Sequence, residues 1–218
     1  MSRGLLEILP VHQRLALAYA PFSSRDALLA LMAFDTRLAQ SVRQANEPIM
    51  AQMRLAWWRD QLRLEEDKRE RSDDVIVAID RLAGMRRALF GMVDGWELLL
   101  GENFTNAAIG EIIKSRGRAL SALSALLGTV DDARDVELAG QRWACAEIIQ
   151  GLSDPEERKQ LFKMAEDLGS KRVRLSRALR PLVVLDGLSR SSLAKDGAPL
   201  LSGTLSGLKA IRLGLLGR

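Results

Sequence analysis

The chain has 218 residues, 47% hydrophobic and 28% charged, with a net charge of +4. That length and balance fit one globular domain with a substantial core, and no stretch approaches the roughly 18–20 unbroken apolar residues of a membrane span. One cysteine, Cys145, excludes an internal disulfide, and with one histidine, His12, it excludes a zinc cage.

A reducing, cytoplasmic setting fits this cysteine usage. The opening MSRGLLEILPVHQR is charged too early for a secretory leader. From Lys171 to Arg218 ten Lys/Arg face two Asp/Glu, a net of +8 that leaves −4 on the preceding residues. A basic end on an acidic body calls for an anionic partner. Nucleic acid fits poorly, since there is no aromatic–basic interleaving and no zinc-finger or strand-based RNA motif. A membrane surface or an acidic protein fits at least as well.

Apolar residues recur every three or four positions and nowhere alternate, so the chain reads as helical throughout. A first helix runs over 5–20, bent at Pro10 and ended by Pro21. Ser24 and Asp26 open a second, reaching about Ala45. Pro48 suits the first turn of a third, over 49–66. The run EEDKRERSDD (65–74) is a solvated connection. A long helix over 75–100 contains Gly84, Gly91 and Gly95, each a site of close packing or of a break. Asn103 and Thr105 precede a helix to about Leu127, capped by Gly128. Helices over 131–150, 156–168 and 171–186 follow, the last kinked at Pro181. A Gly/Ser/Pro-punctuated segment, 187–207, leads to LKAIRLGLLGR. The expectation is one all-α domain over 1–218, of eight to ten helices, with 187–218 as a basic C-terminal segment.

Within AFDTRLAQSVRQ (33–44), Asp35 falls among Leu28, Leu31, Met32, Leu38 and Val42 on the apolar side of a helix. An acid there is a metal ligand, half of an ion pair, or a capped core-edge group. In RLAWWRDQL (54–62), Trp57 and Trp58 point about 100° apart, so one fills core and the other lies at the rim by Arg54 or Gln61.

SSRDALLALMAFDTRLAQSV, then an acidic-proline break, then RLAWWRDQL, resembles the squalene/phytoene synthase family. The likeness reaches from about Pro21 to Arg190. It implies a single-domain antiparallel helical barrel of the isoprenoid synthase type around one cavity. It also implies two facing carboxylate clusters holding Mg²⁺ against a departing diphosphate. Anchored on Phe34, however, the family's aspartates fall at Ala39, Gln40 and Arg43, and Asp35 aligns with no ligand. AGQRWACAEIIQGLSDPEER (139–158) resembles the second motif, with Ala144, Glu147, Gln150 and Gly151 at its functional positions. Asp154 stands beside Pro155, where the last aspartate belongs. Glu147 is the acid expected to face the cavity, whereas Asp154, Glu156 and Glu157 read as acids of a helix start.

Too few carboxylates remain for Mg²⁺, so no catalytic, metal or cofactor residue is expected. AFDTRLAQ is closer to the family branch that has lost these motifs and assists assembly of respiratory complex I. The resemblance thus implies a non-catalytic protein serving assembly or stability of a membrane-bound respiratory complex, with that complex's subunits as partners. The alternative is a prenyltransferase, with Mg²⁺, or a prenyl-diphosphate or lipid binder in squalene, phytoene or hopanoid biosynthesis. Arg25, Arg37 and Arg43 are candidates to hold phosphate, since guanidinium binds it without metal. Arg25, Arg54, Trp57, Trp58 and Arg59 form the candidate phosphate- or partner-binding set. A third reading places residues 203–218 on the inner face of a membrane, through Leu205, Leu208, Ile211 and Leu215 with Lys209, Arg212 and Arg218. His12 and Cys145 have no evident partners. There is no phosphate loop or dinucleotide fingerprint.

Overall fold

Eleven α-helices and four short 3₁₀ turns make up the computed structural model, which describes residues 3–45, 47–100, 105–129 and 131–217. They are α1 Arg3–Ile8, α2 Val11–Leu17, α3 Phe22–Arg43, α4 Pro48–Arg63, α5 Asp74–Ile79 and α6 Arg86–Glu97. Then come α7 Asn106–Leu126, α8 Ala133–Gly151, α9 Pro155–Asp167, α10 Arg180–Leu193 and α11 Gly203–Leu216. There is no strand among the described residues, and no helix is long and apolar enough to cross a membrane. One continuous core takes side chains from every helix but α9's outer face, with Phe34, Leu55, Ile109, Leu123 and Leu182 wholly buried.

Three expected helices divide, and proline chemistry accounts for two of the divisions. Pro10 has no N–H to donate and an extended backbone (φ −57°, ψ 153°), so the first helix breaks there instead of bending. Pro181 lies in the first turn of α10, where its missing N–H costs nothing, so it begins a helix instead of kinking one. Residues 171–176 before it are irregular, and side chains meet the main chain at both ends of the segment. Arg142 donates to Lys171 O (2.8 Å) and Asp131 accepts from Ser176 N (2.6 Å). The 75–100 stretch splits into α5, a 3₁₀ segment over Asp80–Met85 containing Gly84, and α6. Within that segment Leu82 leaves helical geometry (φ −104°, ψ 16°).

Two further expectations change. The 65–74 run is only partly solvated: Arg69 is buried, pairs with Asp80 at 2.5 Å, and donates to Leu64 O. The punctuated segment beginning at 187 is mostly helix, because Gly187 sits inside α10 where Leu213 of α11 leaves no room for a Cβ. Glycine is used the same way at the centre of the fold. Gly117 of α7 and Gly140 of α8 face each other, and a Cβ on either would strike the opposite helix. This close approach carries Arg116 and Glu147 toward one interior site.

Candidate functional site

The α3 helix enters the core with Asp35 on its buried face, because Leu28, Leu31 and Leu38 on the same side pull that face inward. Opposite it, α7 presents Arg116 in line with the buried Ile109, Ile112, Leu120 and Leu123. Arg116 meets Asp35 through two nitrogens, Nε to Oδ1 at 3.1 Å and Nη2 to Oδ2 at 2.6 Å. Its third nitrogen, Nη1, reaches Glu147 Oε2 on α8 at 3.0 Å. The guanidinium also lies over the rings of Trp96 (5.3 Å) and Trp143 (5.6 Å), two cation–π contacts. Trp96 Nε1 donates to Asp35 Oδ1 at 2.9 Å. One arginine therefore bridges the two interior carboxylates, held by rings that leave it little freedom to swing away.

Glu147 is further tied to α2. His12 Nε2 lies 2.7 Å from its Oε1, and Gln13 Nε2 donates to the same oxygen at 3.0 Å. Burial would raise the Glu147 carboxyl, but Arg116, then His12 and Gln13, hold it down at about 2. Burial acts in the same direction at Asp35 and there prevails, raising it with help from the Glu147 charge while Arg116 opposes. Geometry fixes its state: both oxygens accept from N–H donors, so Asp35 is the anion. Burial alone would lower Arg116, but Asp35 and then Glu147 raise it.

This cluster forms one wall of a cavity of about 530 Å³. Asp35, Ala39, Gln40 and Arg43 from α3 line it together with Glu147, Gln150 and Gly151 from α8. Of the positions singled out in the sequence, these seven thus converge on one pocket, and Ala144 does not line it. Gln13 Oε1 and Thr36 Oγ1, on two further lining residues, are buried without a hydrogen-bond partner. His12, expected to stand without a partner, lines the cavity and is paired. Asp154 is not part of the pocket. It caps α9, accepting from Glu156 N and Glu157 N at 2.9 Å each, and those two acids occupy the first turn. Cys145 is wholly buried, and burial pushes its thiol up to about 12.

The proposed arginine–tryptophan set divides. Trp58 is buried edge-on against Phe34 (5.5 Å between centroids). Trp57 is 39% exposed and rests its ring against Trp58 at 4.9 Å, so adjacent tryptophans touch even while pointing apart. Trp57 and Arg54 line a second pocket of about 430 Å³ with Arg37, Met50 and Met53. Arg59 is already engaged, clamping α4 to α6 through Asp94 (2.6 Å) and Glu97 (2.5 Å). Arg25 lines neither pocket, and its Nε is buried without a partner.

Sequence reasoning passed over Arg116, Gln13 and Trp96. Arg116 does carry a signal, since it interrupts the apolar stripe 109, 112, 113, 120, 123 at the position where another apolar residue is due. Among the described residues no three His, Cys, Asp or Glu side chains gather as a metal site. Mg²⁺ does not fit the donor set: both interior carboxylates already bind a guanidinium, and Arg43 adds a second cation to the pocket. Comparison with protein-family models, curated proteins and solved structures finds no match for this chain.

Proposed function

We propose that this chain is a non-catalytic protein of the squalene/phytoene synthase type, acting by binding in the assembly or stability of a membrane-bound respiratory complex. The observation that carries this reading is Arg116 lodged between Asp35 and Glu147. A departing diphosphate is stabilised by divalent ions gripped from both sides by carboxylates. Here the two inward acids are neutralised by a fixed internal cation instead, and the neighbouring motif positions carry Ala39, Gln40 and Gly151. Such a pocket has no spare negative charge for two or three Mg²⁺ ions.

A binding role is supported by α4. Ile49, Met50, Met53 and Trp57 are exposed along one side of it, beside the second pocket. Methionine- and tryptophan-rich exposed strips are characteristic of protein contact surfaces. In this reading the protein works at the cytoplasmic face of the membrane.

The test is removal of the gene from its own cells. Assembled respiratory complex on native gels falls, while squalene, carotenoid and hopanoid content holds. The reverse pattern, intact complex with depleted isoprenoids, overturns the proposal. It would favour the second reading, a prenyl-diphosphate or lipid binder in isoprenoid biosynthesis. That reading rests on the 530 Å³ cavity with Arg43 on its lining and two unsatisfied polar atoms, Gln13 Oε1 and Thr36 Oγ1.

A further inference from the structure

The last helix, α11, is fixed to the body by one face only. Leu213 fills the space over Gly187 of α10, and the ring of Tyr19 lies against Gly214. Ala210, Leu213 and Gly214 are its buried residues. The opposite face is apolar and bare. Leu205, Leu208, Leu215 and Leu216 are between 61% and 74% exposed, and Ile211 is exposed beside them. At 100° per residue these five side chains fall within an arc of about 140°. Isolated exposed leucines are ordinary, but five on one arc of a single helix are a continuous apolar strip.

The charges around this strip have one sign. Residues 203–216 contain no Asp or Glu. Arg212 projects from within the apolar arc and Lys209 from its edge, and neither has a carboxylate within ion-pair distance among the described residues. Burial and then the like charges of Arg190, Arg212 and Arg172 lower Lys209, with only Asp186 opposing, so these cations crowd one region. Arg180 lies against Gly217 at the helix's end. Phe22, 97% exposed, is three residues from Tyr19, whose ring meets α11.

We infer that α11 is a membrane-docking surface that lies in the headgroup plane of a bilayer containing anionic lipid. Charge complementarity selects this occupant. An arginine in the middle of an apolar strip is unfavourable against a protein surface that lacks one acid at one place. At a bilayer its long stem lets the guanidinium rise to the phosphates while the leucines enter the acyl boundary. The surrounding cations then add affinity for negative lipid, roughly fivefold for each one near the surface. The inference stands on α11 alone and is independent of what the interior pocket does.

The test is flotation of the full chain with phosphatidylcholine vesicles, with and without phosphatidylglycerol. The chain floats with the anionic vesicles, and its partitioning falls tenfold or more on the neutral ones and at high salt. Two double variants, Leu208→Glu with Leu215→Glu and Lys209→Glu with Arg212→Glu, each abolish flotation. Leu208, Leu215 and Arg212 lie off the packed face and Lys209 is half-buried at its edge, so thermal melts of the leucine variant stay unchanged and a melt of the charge variant checks its fold. Failure of the unaltered chain to float with anionic vesicles overturns the inference, as does flotation that survives both double variants. A dimer in solution that the leucine variant converts to monomer also overturns it, since a second copy would then cover the strip.

Discussion

Arg116 on α7 and Arg142 on α8 are both buried and both pair with an aspartate, yet their remaining hydrogen bonds end on different chemistry. Arg142 and its partner Asp186 are each 1% exposed. Beyond Asp186 (3.2 Å), Arg142 donates to the carbonyls of Leu168 (2.9 Å) and Lys171 (2.8 Å), while Asp186 takes a second arginine, Arg190, at 2.8 Å. It closes the irregular segment after α9 onto the core. Arg116 spends all three nitrogens on two carboxylates and faces a cavity. A buried cation bonded to main chain fixes a path. One bonded to two acids at a pocket wall settles the charge of that pocket, and with it which ligands the pocket accepts.

Substitution separates the two roles. Arg116→Met leaves Asp35 and Glu147 buried without their cation and costs about 4 kcal/mol at neutral pH. Both acids then have pKa values raised above those of the unfolded chain, so the folded state holds their protons more tightly. Stability lost at neutral pH returns as pH falls through those raised values, seen as a chemical-denaturation deficit that shrinks on acidification. Arg142→Met costs about 3 kcal/mol, because buried Asp186 loses one of its two arginines and two carbonyls lose their donor. Carbonyls do not titrate, so the part of this deficit that they carry persists at low pH in the same assay.

Glu147→Gln is the smallest of the three, about 2–3 kcal/mol at neutral pH. The unaltered Glu147 is held at about 2 against an ordinary 4.5. Between those values the unfolded chain binds a proton that the folded chain does not, so the stability Glu147 contributes is lost as pH falls from 4.5 toward 2. The variant lacks this contribution, and its denaturation midpoint converges on that of the unaltered chain across the same window.

The helical class was legible because three- and four-residue apolar spacing needs only local order. Several starts were too, since Thr105 caps α7, accepting from Ala108 N at 3.2 Å, and Pro48 opens α4. Breaks were less so: Pro10 and Pro181 announce a proline's effect but not whether it divides a helix or begins one. Asp35 was legible as an acid at a core edge, whereas its partner was not. Arg116 lies 81 positions away, and only the packing of Gly117 on Gly140 brings α7 and α8 close enough for one guanidinium to span both acids. His12 was illegible for the same reason, being 135 positions from Glu147. Long-range polar pairing leaves no periodic trace in a sequence, except where a charge interrupts an apolar stripe.

In the proposed reading Arg116, bridging Asp35 and Glu147, leaves the pocket without the free carboxylates that divalent ions need. Release of pyrophosphate from an allylic prenyl diphosphate by the purified chain, with Mg²⁺ and then with EDTA, tests it most directly. Release no faster than in buffer under either condition is the predicted result. Mg²⁺-dependent release that EDTA abolishes would contradict it.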